Sequence, residues 1–135
     1  MKFAVDMYGF APVREHEDDA GVDLRTPKDF IVPPFSSLKV NLLVRVEIPK
    51  GYVGLLTSKS GLMEKDITTR GTIDCGYSGT IQVRVFNHGG KFVSFERGDK
   101  VTQLVVVPCI TDKVEIVDEI KAGDRGENGF GSTGK

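Results

Sequence analysis

The chain has 135 residues, 39% of them apolar, and a formal net charge of −1; that length suits one domain burying roughly two thirds of the surface its unfolded form exposes. No two Lys or Arg residues are adjacent, which argues against the broad basic surface of a nucleic-acid binder, and Cys75 and Cys109 lack the C-x-x-C spacing of a zinc site or disulfide framework. No apolar run approaches the roughly 18 to 20 residues of a membrane span, and Asp6 interrupts the apolar start, so the expectation is a soluble cytoplasmic protein.

In chain order, the first distinctive stretch is "EDDAGVDLRT" at 17–26. Taken alone it reads as a solvated acidic loop in which Asp23 fixes a turn, with metal attraction as the sharper alternative. At 38–48, Leu38, Val40, Leu42, Val44, Val46 and Ile48 alternate with Lys39, Asn41, Leu43, Arg45 and Glu47, the pattern of a single half-buried strand. "TSKSGL" at 57–62 reads as a turn opening a short helix within "SGLMEKD"; its hydroxyls, ammonium and backbone N–H groups are the parts of a phosphate cradle or of an ordinary helix cap. "RGTIDCGYSG" at 70–79 sets Asp74 before a Gly-containing hairpin with Tyr77 at its tip, and the alternation of Ile81, Val83 and Val85 follows. An Asp there either orients a water or bonds its own turn. "RGDKVTQL" at 97–104 enters a strand over 100–110, apolar on both faces except where Gln103 interrupts it. His16 and His88 have no partner at ligand spacing.

These elements predict an all-β domain over 1–121 with one short helix, followed by a mobile Gly-rich arm over 122–135. Sandwich, jelly roll and small barrel all fit the pattern. In the arm, Gly123, Gly126, Gly129, Gly131 and Gly134 leave the backbone too permissive to hold a helix or strand by itself, yet Arg125 and Phe130 have little use in a solvated linker. That combination suggests docking.

Taken in order, "AGVDL", "SKSGL", "GTIDCGYSG", "GDKVTQL" and "RGENGFGSTG" resemble the five motifs of the trimeric dUTPases, with wording most like the enzymes of Gram-positive bacteria and their phages. The resemblance implies a jelly-roll-like β subunit, a homotrimer, and active sites at subunit interfaces, each closed by a neighbour's C-terminal arm. It further implies hydrolysis of dUTP to dUMP and pyrophosphate, limiting uracil incorporation into DNA. By the same carry-over Asp74 activates the water that attacks the α-phosphorus, and Asp23 holds Mg²⁺ through its water shell. Lys59, Ser60, Gly61 and Gln103 contact the phosphates; Lys59 stands where Arg is usual, keeping the charge but not the planar two-pronged grip. Backbone groups between Gly71 and Gln82, including Thr72 and Ile73, read uracil, while Tyr77 packs on the deoxyribose and excludes a ribose hydroxyl. From the arm, Phe130 stacks on uracil, Arg125 pairs with the γ-phosphate, and Gly131, Ser132 and Thr133 add hydrogen bonds to the phosphate chain.

Two other readings share this scaffold. A dCTP deaminase, or a bifunctional deaminase-dUTPase, carries a catalytic Glu in the strand after the hairpin, where this sequence has Arg84 in "GTIQVRV". Without that carboxylate, water attack on cytosine lacks its proton shuttle. A regulatory protein that binds a partner and uses dUTP as a switch needs only the arm's ordering.

Overall fold

The structure, a computed structural model, describes residues 1–131. Its elements are β1 (Lys2–Val5), β2 (Gly21–Arg25), β3 (Phe30–Val32), β4 (Ser37–Asn41), β5 (Val44–Glu47), β6 (Tyr52–Thr57), α1 (Ser60–Met63), β7 (Ile67–Ile73), β8 (Gln82–Asn87), β9 (Val93–Phe95) and β10 (Lys100–Pro108). Every strand pairing is antiparallel. One six-stranded sheet runs β2-β10-β6-β7-β8-β4, and the ribbons β1-β5 and β3-β9 complete a curled, jelly-roll-like domain. Among the described residues, no helix is long and apolar enough to cross a membrane.

Period-two patterning builds the core. In β8 the side chains of Val83, Val85 and Asn87 are buried while Gln82 and Arg84 face outward, as a sheet with one wet face requires. Val40, Leu42, Leu56, Ile67, Ile73, Ile81 and Leu104 join these valines in one cluster, to which Phe95 adds a ring stacked on Phe30. β10 is paired on both edges, to β2 and to β6, which accounts for its long apolar run; Val105, Val106 and Val107 are half-buried.

The expected single strand at 38–48 is two. Its alternation holds, with Val40, Leu42, Val44, Val46 and Ile48 all buried, but Leu43 takes a left-handed backbone with φ +56°. Asn41 Oδ1 accepts its N–H at 2.9 Å. The kink lets β4 pair with β8 in the large sheet while β5 pairs with β1, turning the chain at a corner between sheets. Hydrophobic period is preserved across such a corner, so it leaves no trace in the pattern.

Beyond β10 the Cys109 N–H still reaches Gly51 O, at 2.9 Å. From residue 111 onward nearly every described residue is exposed, and none lies in a helix or strand. Ile110, Val114, Ile116 and Ile120 all stand in water.

Candidate active site

Strand register places the first group of polar residues. Asp23 of β2 lies opposite Gln103 of β10, which lies opposite Thr57 of β6, so the three share one face of the sheet, away from the Leu24, Leu56 and Leu104 face that enters the core. Asp23 is not in a solvated loop, as its local sequence suggests; its side chain is only 8% exposed. Such burial is tolerated because two ammonium groups reach it, Lys59 Nζ at Oδ1 and Lys100 Nζ at Oδ2, the latter at 2.9 Å. Burial by itself would raise the Asp23 pKa, but the hydrogen bonds from Lys59 and then Lys100 outweigh it and hold the carboxyl below its ordinary value. Lys100 also donates to Glu15 Oε2 at 2.8 Å, giving a chain of alternating charge. The partners of Asp23 lie far along the sequence, which is why its local context misleads.

A second set of bonds fixes the turn that carries Lys59. Ser58 Oγ accepts the Thr69 N–H at 2.8 Å, Thr102 Oγ1 donates to Thr57 O at 3.0 Å, and Gln103 Nε2 donates to Ser58 O at 3.4 Å. Ser60 opens α1 and is exposed, as is Gly61, around which a Cβ would meet nothing. Gly21 is different. A Cβ there would lie 2.2 Å from Gln103 Oε1, so its hydrogen is what gives the Gln103 side chain room over β2. Thr57 Oγ1, on the strand position opposite Gln103, is buried with no hydrogen-bond partner among the described residues.

Asp74 belongs to the opposite end of the sheet. It follows β7 and is exposed, and its carbonyl accepts the Tyr77 N–H at 3.2 Å to close the loop. Thr72, Ile73, Asp74, Tyr77 and Gln82, with Ile81 and Lys39, line a cavity of about 310 Å³, of the size a small ligand requires. Lys39 is a lining residue that no motif marks. Gly71 lies behind this cavity, where a Cβ would lie 2.7 Å from Leu56 Cδ1; its hydrogen serves core packing. Tyr77 Oη donates to Thr80 O at 2.9 Å, and Gly79 makes room for the ring, since a Cβ there would sit 2.4 Å from Tyr77 Oη.

The two ends do not meet within one chain. Gly71 is level with Leu56 and, continuing the register, Arg70 is level with Thr57. At the usual rise and strand spacing, Asp74 is roughly 13 Å along and 14 Å across the sheet from Asp23, on the order of 20 Å in all. Nor, among the described residues, does the tail join either end. Arg125 is exposed and its carbonyl accepts the Asn128 N–H at 2.9 Å, while the Phe130 ring is wholly exposed beside an exposed Gly131. Ser132 and Thr133 lie outside the described residues. Arg84 is exposed and cross-strand to Lys39 and Arg70, a cationic row in the place where a deaminase would need its Glu.

Comparison with known proteins bears on the family and the fold. The profile of the family described as dUTPase matches residues 8–134. A deoxyuridine 5′-triphosphate nucleotidohydrolase of Clostridium novyi is 38% identical over 127 residues, covering 91% of this chain and 89% of its own length. The dUTPase of Staphylococcus bacteriophage 80alpha, solved with dUPNHPP, superposes with a TM-score of 0.91 at 29% identity, over 99% of this chain and 98% of its own. A mutant dUTPase from phage phi11 of S. aureus, whose structure shows the coordination of a structural Mg(II) ion, superposes with a TM-score of 0.79 at 28% identity, over 87% of this chain and 96% of its own. On sequence and fold together, over nearly its whole length, this chain belongs to the dUTPase family.

Proposed function

We propose that this chain hydrolyses dUTP to dUMP and pyrophosphate at sites built between the subunits of a homotrimer. The observation that carries the shared site is the separation of Asp74 from the Asp23, Lys59 and Gln103 group, on the order of 20 Å. Groups that act on one triphosphate must lie within contact of it, so the two ends serve one substrate only when they come from different subunits. The row of apolar side chains at Ile110, Val114, Ile116 and Ile120, left in water by a single chain, supports association.

In this reading uracil and deoxyribose enter the cavity beside Tyr77, and backbone groups from Gly71 to Gln82 read the base edge. Tyr77 occupies the space that a ribose 2′-hydroxyl would need. The Asp74 carboxylate, exposed at the end of β7, accepts a proton from a water as that water's oxygen attacks the α-phosphorus, and the bond to the bridging oxygen breaks to release pyrophosphate. A second subunit contributes Lys59, Ser60, Gly61 and Gln103 to the phosphates. Residues 1–121 form the β domain and 122–135 an arm from a neighbour, whose Phe130 covers uracil and whose Arg125 pairs with the γ-phosphate, excluding bulk water.

Mg²⁺ suits this chain as an ion carried by the substrate. No group of three potential ligands among His, Cys, Asp and Glu occurs among the described residues, and in this reading the phosphates and water complete the ion's shell. Each Asp23 oxygen receives one ammonium and keeps a lone pair for a metal-bound water. The ion would neutralise charge on the phosphates; holding Asp23 ionised and in place is the work of Lys59 and Lys100. Cys75 and Cys109 are free thiols, in keeping with a cytoplasmic enzyme.

The test is pyrophosphate release from dUTP, dCTP, dTTP and UTP with Mg²⁺, for the intact chain and for Asp74→Asn. Rapid release from dUTP alone, lost in the variant, is the expected result. Binding of dUTP without hydrolysis would transfer the reading to a nucleotide-switched binding protein.

A further inference from the structure

Among the described residues, the loop that carries Tyr77 is held from outside by one side chain. At its base, Leu42 N–H and Val44 O bond to the Ile81 backbone at 2.9 and 2.7 Å, and within the loop Tyr77 bonds to Asp74 O and Thr80 O. Among the described residues, the one side chain of another element that hydrogen-bonds to residues 75–80 is Arg45 of β5, whose Nη1 donates to Ser78 O at 2.8 Å. Arg45 does not swing freely. Its Nε and Nη2 donate to Asp6 Oδ1 and Oδ2, both at 3.1 Å, a two-pronged pairing that fixes the guanidinium plane as well as its position. Asp6 in turn is held through its backbone, whose N–H reaches Leu43 O at 2.9 Å.

We infer that Arg45, braced by Asp6, is a positioning residue for the Tyr77 loop and thereby sets how strongly the site excludes ribonucleotides. This inference rests on the proposed reading of Tyr77 as the sugar discriminator. Gly76 takes φ +85° and Gly79 has no Cβ to resist the ring, so the loop's own backbone is permissive and an external strut has an effect that a stiffer loop would not need. Exclusion of a single hydroxyl depends on ring placement to a fraction of an ångström, whereas Asp74, at the end of β7, is placed by strand pairing of Ile73 with Gly54. Loss of the strut therefore acts on discrimination more than on the chemical step.

The test uses Arg45→Met, Arg45→Lys and Asp6→Asn in the full chain. For Arg45→Met the ratio of kcat/KM for dUTP over UTP should fall about tenfold, the order of one charge-assisted contact, with kcat for dUTP changing far less than KM. Arg45→Lys, which keeps charge but loses the fork, should recover only part of the ratio, and Asp6→Asn should lie between it and wild type. Independently of any substrate, amide hydrogen exchange of residues 76–80 should quicken in Arg45→Met while exchange in β7 and β8 is unchanged. If the wild type does not hydrolyse dUTP, the proposed function fails, and the exchange experiment still decides whether the strut exists. An unchanged discrimination ratio in an active enzyme overturns the specificity role, and unchanged loop exchange overturns the strut itself.

Discussion

Gly21 has a role out of proportion to its size, and Gly21→Ala isolates it. The added Cβ would lie 2.2 Å from Gln103 Oε1 and 2.8 Å from its Cδ, where ordinary contact begins at 3.4 Å. The Gln103 amide must therefore retreat by about 1.2 Å, past the roughly 1 Å misplacement that can cost a hundredfold in rate. The nearest obstruction is the far end of a flexible side chain, which can turn away, while Gln103 Cβ, at 3.1 Å, asks β2 and β10 to part by only a few tenths of an ångström, so the stability loss should stay near about 1 kcal/mol. Its long bond to Ser58 O, at 3.4 Å, offers little resistance. The assay is kcat/KM for dUTP with urea denaturation alongside, for Gly21→Ala, Gln103→Ala and the double variant. A loss of ten- to a hundredfold is expected for Gly21→Ala, with the double variant no worse than Gln103→Ala alone, since both substitutions act through one amide. Full activity in Gly21→Ala, or additive losses in the double variant, would refute the reasoning.

Three further outcomes can be checked directly. The Asp23 carboxyl is held below its ordinary pKa despite burial, so its stabilising contribution is complete above the unfolded value of about 3.9 and is lost as pH falls through the folded value; urea midpoints followed from pH 6 to pH 3 should fall less steeply in Asp23→Asn than in wild type. Some slope will persist, because Asp6, hydrogen-bonded by Arg45, and Glu15, hydrogen-bonded by Lys100, are also held low. Leu43→Gly should leave the melting temperature equal or higher, since a left-handed backbone costs a residue with a side chain about 1 to 2 kcal/mol, whereas Leu42→Ala, at a fully buried neighbour, should cost about 2 to 5 kcal/mol; equal losses would contradict the account of the corner. A chain ending after Gly123 should unfold at the same urea concentration as the full chain, because the described residues among those removed, 124–131, are almost all exposed, while losing most of its turnover.

Several features were legible in the sequence because they depend on neighbours along the chain. The alternation through β8, the both-edges-paired run of β10 and the turn into α1 all follow from local period and punctuation. Features set by pairing across the sheet were not legible. Asp23 reads as one more acid in "EDDAGVD", and only the approach of Lys59 and Lys100 from other elements makes its burial sustainable. The corner at Leu43 is hidden because the inward residues keep their period across it. Lys39, which lines the Asp74 cavity, and Arg45, which holds Ser78, sit on the outward side of the 38–48 alternation, where a charged residue ordinarily means solvent. The five motifs carried the family because their order is distinctive, but order along the chain conceals that Asp74 and Asp23 stand at opposite ends of one sheet.

That separation is the centre of the account, and subunit mixing tests it most directly. Asp74→Asn and Lys59→Met are each prepared in inactive form, then unfolded together in urea, refolded as an equal mixture and assayed for pyrophosphate release from dUTP. If each site takes Asp74 from one subunit and Lys59 from another, random reassembly gives about a quarter of the sites both native residues, and activity returns well above that of either variant refolded alone. If a single chain holds the whole site, every site in the mixture carries one defect, and activity stays at the level of the parents.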